Sequence, residues 1–454
     1  MRRGVGVPLL LLMVVTSRAQ AQQTIPLIGA DVGLSDFGID ALADVARGRV
    51  SVAYAPDGPY LNIHFLRDTP TPPRRDPPPQ PEVGRAPDEH GDPRERQTAL
   101  WVWNTRDLLD DRAERDTFLD FVEAQSITRI FLYLPAAHGT EPRSGYIPFD
   151  GRELGPFLSE LRARGALAYA LDGDRDYVRP ENHAGVFRTV ERLVEHNRSV
   201  PAEQRFHGVR YDIEPYLAPG FQGPARQDLL DGYVELLAGV AERAREGELK
   251  VAVDIPFWFD APDEETGEYM EAELGGERRP LIEHVMSLVD DVAIMDYRTA
   301  AGGPNGALVH AQGELVLGAR ADVGVFVGVE TTRLLDEDMH TFFGPVRDGL
   351  PPSGPARWVV LEGRADGRAR IWLVDGADAV ARLAESVDAS SELRHWPAGR
   401  PARIAADAQS FYALGRAAME EVTDEVVRTF ASRPAFLGLA FHDYEGLRAL
   451  LGRN

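Results

Sequence analysis

The regular alternation of short apolar segments with helical ones is the feature that most limits how this chain can fold. From residue 98 to the C-terminus, eight apolar segments are followed by stretches whose apolar residues recur at spacings of three and four, as at Leu229, Tyr233, Leu236 and Val240. We expect strands at 100–103, 129–134, 167–171, 208–213, 250–257, 292–297, 323–329 and 437–441. Strict alternation of eight strand and helix pairs predicts an α/β protein with a closed (β/α)8 TIM barrel over residues 98–454.

The residues before the barrel form three segments of different composition. Residues 1–21 combine two arginines with a short apolar run and a small-residue ending, which is typical of a secretory signal peptide. We therefore expect cleavage before Gln22 and a secreted or periplasmic protein. Within residues 22–68, two apolar runs flank the turn sequence Pro56-Asp57-Gly58 and predict a small N-terminal β-hairpin. Residues 69–97 are rich in proline and charge, bury too little apolar surface to fold, and are the expected linker.

Two questions about the hairpins stay open at this point. The N-terminal hairpin either packs on the barrel or belongs to a small carbohydrate-binding β-module. After strand seven, the residues from about 333 to 405 contain two further apolar runs around Ala365-Asp366-Gly367. This pattern predicts a second hairpin and an inserted subdomain over the barrel mouth.

The composition argues against several classes of partner. The chain has no cysteine, so it has neither disulfides nor a thiol nucleophile. Its net charge of −23 argues against nucleic acid and anionic membranes. The apolar run at the N-terminus is too short to span a bilayer, so we expect no membrane insertion. A carbohydrate polymer is compatible with this charge, and nothing in the sequence indicates a cofactor or a partner protein.

Carboxylates and aromatic rings lie at the ends of the predicted strands, where a barrel of this type carries its function. Sugar polymers are held by aromatic faces and cleaved by pairs of carboxyl groups, so this inventory predicts a glycoside hydrolase. The strand-end residues include Trp103, Asp172, Asp212, Glu214, Asp254, Trp258, Asp296, Tyr297, Glu330 and His442.

Strand four carries the most specific pattern, in the segment from Gly208 to Glu214. Alternation along a strand directs Arg210, Asp212 and Glu214 into the barrel and the apolar residues between them towards the helices. Carboxyl groups two residues apart lie ~7 Å from each other, so an ionised Asp212 raises the pKa of Glu214 and keeps it protonated. Glu214 is therefore the expected general acid. The structural alternative is a salt bridge of Arg210 with either carboxylate.

At these residues the chain resembles family 18 glycoside hydrolases, the chitinase-like group, whose fourth strand carries a glycine followed by Asp-x-Asp-x-Glu. Asp212 and Glu214 match this motif, whereas Arg210 stands in place of its first aspartate. The departure puts the usual interaction between the two aspartates in doubt.

The resemblance continues more weakly on two other strands. Met295-Asp296-Tyr297 is similar to the family's Met-x-Tyr-Asp on strand six, with Arg298 in place of the aspartate. On strand eight, His442 stands where the family usually has a tryptophan. The likeness spans the barrel but is strong only at strand four. The chain therefore resembles this family as a distant relative would, within the TIM-barrel glycosidase superfamily.

The resemblance implies a substrate-assisted mechanism on N-acetylated sugars. Glu214 would act as general acid/base, the acetamido oxygen of the sugar would attack, and Asp212 and Tyr297 would steady the resulting ring. A second resemblance, to retaining barrel glycosidases with glutamates on strands four and seven, implies instead that Glu330 is a covalent nucleophile. Those enzymes have asparagine at the position of Ile213. The residues then expected to bind the substrate are Trp103, Asp172, Asp254, Trp258, Asp296, Arg298 and His442.

The alternative from another class is a carbohydrate-binding TIM barrel without catalysis, because Arg210, Arg298 and His442 are departures of the kind that accompany lost activity. Glu214 argues against it, since an uncompensated carboxylic acid inside a barrel mouth is costly to maintain. Trp103 and Trp258 have a second interpretation as core residues. The histidines have no spacing suited to zinc, so we expect no metal site.

Overall fold

The structure is a computed structural model. It describes residues 28–33, 48–54, 61–67 and 96–453, except for residue 136, residue 304 and the segments 139–140, 143–152, 219–220, 222–224, 263–267, 335–336, 343–346, 364–367 and 388–390. The expected signal peptide, and all of the expected linker except residues 96 and 97, lie outside the described residues.

Eight parallel strands close into a barrel, as the sequence predicts. They are β1 (Gln97–Val102), β2 (Arg129–Tyr133), β3 (Leu167–Asp172), β4 (Gly208–Asp212), β5 (Lys250–Pro256), β6 (Asp291–Met295), β7 (Gly324–Glu330) and β8 (Phe436–His442). Each strand pairs with the next along the chain, and β8 pairs with β1 to complete the ring. The predicted (β/α)8 barrel is therefore confirmed.

The connections between strands supply the surrounding helices, whose apolar spacing buries one face of each. The long helix Arg226–Glu246, for example, buries Leu229, Tyr233, Leu236 and Val240, the set that its spacing singled out. The other helices of this part are Thr105–Asp110, Arg112–Ala124, Leu154–Ala163, Pro180–Ser199, Leu281–Leu288, Ala307–His310, Gln312–Ala321, Arg416–Phe430 and Tyr444–Leu451. None of the helices in the described part of the chain is long and apolar enough to cross a membrane.

The barrel interior is filled by side chains from alternate strand positions. Trp101, Phe131, Tyr169 and Phe326 are the large members of this cluster, and alanines such as Ala252 lie between them. Successive side chains along a strand point to opposite faces, so every second residue faces the barrel interior. The same alternation places polar residues at the strand ends in the mouth of the barrel.

The chain divides into two compact units, and the barrel belongs to the one made of Pro72–Pro215, Gln227–Arg333 and Asp407–Asn454. The other unit contains an antiparallel sheet of eight strands. Seven of them follow one another in the order Ile28–Gly33, Arg368–Asp375, Arg357–Gly363, Glu392–Ile404, Glu337–Phe342, Gly48–Tyr54 and Leu61–Arg67. The eighth, Arg347–Asp348, is short and pairs with Glu392–Ile404. Its core joins Trp358, Val360, Trp372 and Val374 to the helix Ala377–Ser386.

This sheet joins the two predicted hairpins. Gly48–Tyr54 pairs with Leu61–Arg67, and Arg357–Gly363 pairs with Arg368–Asp375, as the turn sequences indicate. The N-terminal pair continues through Glu337–Phe342 of the segment after β7. The two segments, far apart in sequence, therefore build one sheet.

Candidate active site

A buried arginine lies at the centre of the barrel interior. Arg210 of β4 is fully buried, and its Nη2 donates to Asp291 Oδ1 of β6 over 2.9 Å. Its Nη1 lies 3.5 Å from Asp254 Oδ1 of β5, and its Cζ lies 3.9 Å from the centre of the Phe131 ring. Tyr169 donates its hydroxyl to the other oxygen of Asp291, over 3.0 Å. The salt-bridge partners of Arg210 are thus Asp254 and Asp291, and not Asp212 or Glu214 as the structural alternative had it.

A glycine at the start of β4 makes room for this arrangement. A Cβ at Gly208 would lie 2.6 Å from Cε1 of the Tyr169 ring and 2.5 Å from the carbonyl oxygen of Lys250. Any larger residue would therefore push Tyr169 away from Asp291. The glycine of the strand-four motif is therefore needed in this barrel to leave space for the Tyr169 ring.

One layer higher, Asp212 and Asp254 occupy directly paired positions on β4 and β5. Trp101 Nε1 donates to Asp254 Oδ2 over 3.1 Å, whereas Asp212 Oδ1 is buried and has no hydrogen-bond partner among the described residues. Burial and the charge of Asp254 raise the pKa of Asp212 to about 8. Burial also raises the pKa of Asp254, to about 6, against the opposing effect of Arg210.

Glu214 lies two residues after the end of β4. Its side chain is buried, and neither carboxyl oxygen has a hydrogen-bond partner in the described part of the chain. Burial, then the charges of Asp212 and Asp254, raise the pKa of Glu214 well above its usual value. A protonated carboxylic acid with free oxygens is what a general acid requires.

Glu330 and His442 form a hydrogen-bonded pair at the paired ends of β7 and β8. His442 Nδ1 lies 2.9 Å from Glu330 Oε2, and the backbone N–H of Thr332 donates to Glu330 Oε1 over 2.6 Å. On the far side of the imidazole, Trp103 Nε1 donates to His442 Nε2 over 3.0 Å. Both oxygens of the buried glutamate are therefore engaged.

The contacts of His442 define its tautomer. Burial opposes the charged ring, but the Glu330 carboxylate raises the pKa of His442 to about 9. A charged ring would direct its own Nε2–H at the indole N–H of Trp103. A pKa of about 9 would make the ring charged at pH 7, but the Trp103 hydrogen bond needs an unprotonated Nε2, so in this geometry the ring is neutral and Nδ1–H donates to Glu330. Charging His442 requires Trp103 to turn away.

Tyr297 lies among these carboxyl groups. Its ring centre is 5.7 Å from that of His442. Burial raises the pKa of Tyr297, and the charges of Glu330, Asp212, Asp254 and Glu214 raise it further. Its phenol therefore stays protonated and can donate a hydrogen bond within the site.

Two predicted residues that follow β6 belong to a separate group. Asp296 Oδ1 lies 3.0 Å from His310 Nδ1, and the His310 ring stacks on Phe257 at 4.3 Å. The guanidinium of Arg298 covers the same phenyl ring at 4.4 Å. Asp296 and Arg298 are thus held by neighbours other than the Glu214 group.

Asp172 and Trp258 also have other contacts. Asp172 is buried and accepts from the Tyr177 hydroxyl and from the Gly173 amide, each over 2.9 Å. A Cβ at Gly173 would lie 1.9 Å from the Asp212 carbonyl oxygen, so only glycine permits this close passage of the two strand ends. Trp258 is partly buried, with its ring 5.4 Å from that of Phe259.

The structure adds three residues that sequence reasoning did not assign to the site: Trp101, Tyr169 and Asp291. A signal for Asp291 exists, because it shares its parity on β6 with the inward-facing Ala293. No group of three or more His, Asp or Glu side chains in the described residues forms an arrangement that could hold a metal ion.

Among the comparisons with known proteins, only solved structures give matches. No family model matches the chain, and no curated protein matches it. Among solved structures, it is similar to a chitinase from Chromobacterium violaceum, with 13% identity over 79% of this chain and 100% of the other and a TM-score of 0.36.

Two further solved structures have similar values. A class V chitinase from Pseudomonas fluorescens has 12% identity over 79% of this chain and 100% of the other, with a TM-score of 0.39. A family 18 N-acetylglucosaminidase from Paenibacillus barengoltzii has 14% identity over 78% of this chain and 99% of the other, with a TM-score of 0.36. Of these three structures, the last is described as a family 18 enzyme, and none shares more than 14% identity with this chain. The assignment of the barrel itself rests on its strand pairing.

Proposed function

We propose that this protein is a glycoside hydrolase that acts on an oligo- or polysaccharide, with Glu214 as its general acid. The observation that carries the proposal is the state of Glu214: buried, without a hydrogen-bond partner for either oxygen, and with a raised pKa. Burying such a group without compensation costs stability. A general acid that must protonate the departing glycosidic oxygen explains why such a destabilising group is present.

The arrangement around Glu214 supports substrate assistance on N-acetylated sugars. Burial raises the pKa of Glu214, and the neighbouring carboxyl groups of Asp212 and Asp254, on the same and the adjacent strand, raise it further. Tyr297 supplies a protonated phenol in the same group. In this mechanism Glu214 protonates the leaving oxygen, the acetamido oxygen attacks the anomeric carbon, and Asp212 and Tyr297 steady the acetamido group.

The covalent alternative, with Glu330 as nucleophile, has less support. A nucleophilic carboxylate needs a free oxygen directed at the sugar. Glu330 is fully buried, and its oxygens are engaged by Thr332 and His442. We propose that Glu330 orients His442 and that His442, with Trp103, lines the floor of the sugar site.

We propose that the remaining predicted residues contribute to binding the sugar chain, either directly or through the loops around the barrel mouth. Trp258 is partly buried, which is compatible with stacking on a sugar ring. Asp172, Asp296 and Arg298 have protein partners, so we propose that they shape the loops that receive the sugar chain.

We further propose that the protein is exported and begins at Gln22. The support is the residue pattern of positions 1–21. N-terminal sequencing of protein recovered from the extracellular or periplasmic fraction tests this, and an intact Met1 on cytoplasmic protein would contradict it.

The experiment that tests the function compares the wild type with Glu214→Gln on a panel of glycans and aryl glycosides that includes N-acetylated sugars. The variant keeps the shape of the side chain and removes the acid, so its rate falls by at least ~100-fold while it still binds oligosaccharide. The matched control is Glu362→Gln, a buried glutamate of the other unit that accepts from Trp372 and Ser391.

The control should stay within ~3-fold of the wild type, because Glu362 accepts its hydrogen bonds within the other unit and has no part in the proposed chemistry. If the wild type binds oligosaccharides but hydrolyses none, and Glu214→Gln binds equally well, the carbohydrate-binding barrel replaces the enzyme.

A further inference from the structure

Asp212, which is partly buried, and Asp254, which is buried, are two carboxyl groups that lie side by side on adjacent strands. They occupy paired positions on adjacent parallel strands, so their side chains lie on the same, inner face of the barrel. Asp212 Oδ1 and Asp254 Oδ1 are both buried, and neither oxygen has a hydrogen-bond partner among the described residues. Two ionised carboxylates this close repel each other strongly inside a protein.

The surroundings of the two groups are unequal. Asp254 accepts from Trp101 Nε1 over 3.1 Å and lies 3.5 Å from Arg210 Nη1. Within the part of the chain that the structure describes, Asp212 has no such ion pair, although Arg210 belongs to its own strand. A negative charge is therefore better stabilised on Asp254 than on Asp212.

We propose that Asp212 and Asp254 hold one proton between them, that this proton resides on Asp212, and that Asp254 is a positioning residue that keeps Asp212 neutral. Asp212 then presents a hydroxyl donor beside Glu214 in place of a second negative charge. The use of this donor in catalysis rests on the proposed function, whereas the protonation of the pair does not.

The other charged groups around Asp212 are consistent with this assignment. Burial and Asp254 raise the pKa of Asp212 to about 8, while Arg210 of β4, and His442 of β8 when its ring is charged, lower it. The pKa of Asp254 is raised to about 6, so Asp254 loses its proton first. Glu214 and the phenols of Tyr297 and Tyr233 also lie near the pair and stay protonated, because burial and the charge of Asp254 raise the pKa of each.

The test is a titration of aspartate carboxyl carbons by ¹³C NMR in the full-length protein, with Asp212→Asn used to assign the Asp212 signal. In the wild type, Asp212 should titrate near the pKa of about 8 that its surroundings give it. Asp254→Asn removes the neighbouring charge and keeps an oxygen for Trp101, so the Asp212 midpoint should fall by at least ~1 pH unit. The matched control, Asp172→Asn, changes a buried strand-end carboxyl outside the pair and should move the midpoint by less than ~0.3 unit.

A second variant covers the case in which Asp254→Asn does not fold. Trp101→Phe removes the hydrogen bond to Asp254, so the pKa of Asp254 should rise and the proton should be shared more evenly. An Asp212 midpoint below ~5 in the wild type, or one that neither variant moves, would overturn the proposal. If the pair titrates as proposed but the protein hydrolyses no glycoside, the proposed function alone is refuted.

Discussion

Replacement of Arg210 by methionine tests the physical account of the barrel interior. The substitution keeps most of the side-chain length and removes the charge that lies 2.9 Å from Asp291 and 3.5 Å from Asp254. Breaking a buried ion pair by removing one partner costs ~3–5 kcal/mol, because the remaining charge is left without compensation. Tyr169 and Trp101 still donate to the two carboxylates, so we expect the free energy of unfolding at pH 7 to fall by ~3 kcal/mol.

A surface arginine with almost the same contacts is the matched control. Arg243 lies 3.1 Å from Glu191 and covers the Phe187 ring at 4.0 Å, compared with 3.9 Å for Arg210 and Phe131. Its side chain is 30% exposed, whereas that of Arg210 is 0% exposed. Because exposed ion pairs contribute little, Arg243→Met should cost no more than ~1 kcal/mol.

The assay is urea denaturation read by hydrogen exchange on peptides from the barrel strands. Burial raises the pKa of Asp254 and Asp291 and Arg210 opposes this rise, so the benefit of Arg210 is present while these groups are ionised and shrinks as the pH falls through their folded-state pKa values, about 6 for Asp254. The double variant Arg210→Met/Asp291→Asn should recover at least ~1 kcal/mol at pH 7. Equal losses for Arg210→Met and Arg243→Met would refute the reasoning.

Three further predictions follow from the carboxyl groups and the histidine. Glu330→Gln should lower kcat by no more than ~10-fold if Glu330 only orients His442, and complete loss with a trapped glycosyl-enzyme in mass spectrometry would favour the covalent mechanism. Trp103→Phe removes the donor to His442 Nε2, so NMR titration of the imidazole should give a higher pKa than in the wild type; an unchanged or lower value would contradict the assigned tautomer. The pKa of Asp212 is raised from 3.8 to about 8, so the folded state binds the extra proton and its contribution to stability is lost as the pH rises across this range. Urea denaturation between pH 4 and 9 should show this fall, and Asp212→Asn should flatten it.

The barrel could be predicted from the sequence because each of its strands is a local signal. The apolar segments and the helical spacing between them are read within windows of ten to twenty residues, and closure follows from their number. Alternation on β4 also placed Arg210 inside the barrel, where it contacts Phe131. The strand ends are therefore the part of the site that a sequence defines well.

The second sheet and the partners of Arg210 depend on contacts between distant segments. Nothing local to Gly48–Tyr54 indicates that it pairs with Glu337–Phe342, because antiparallel pairing is decided by side-chain fit across strands. Asp291 lies at the start of its strand, where a charge normally faces solvent. Its role depends on Arg210 reaching across the barrel from β4, which no pattern along a single strand reveals.

The pairing of Glu330 with His442 is an intermediate case. Both residues end their strands, and β7 and β8 are neighbours in any barrel of eight. Their proximity follows from the fold, but the hydrogen bond depends on the rotamer and on the tautomer imposed by Trp103. Neither the rotamer nor the tautomer can be predicted from a sequence pattern.

The central claim is that Glu214 donates the proton to the leaving group, and the dependence of the rate on that leaving group tests it most directly. The measurement compares kcat/KM of the wild type and Glu214→Gln on two glycosides of the same sugar, one with a poor leaving group and one with an activated aryl leaving group. We expect the variant to lose at least ~100-fold on the first and less than ~10-fold on the second, because an activated group departs without protonation. Equal losses on both substrates would contradict the role of Glu214 as the acid.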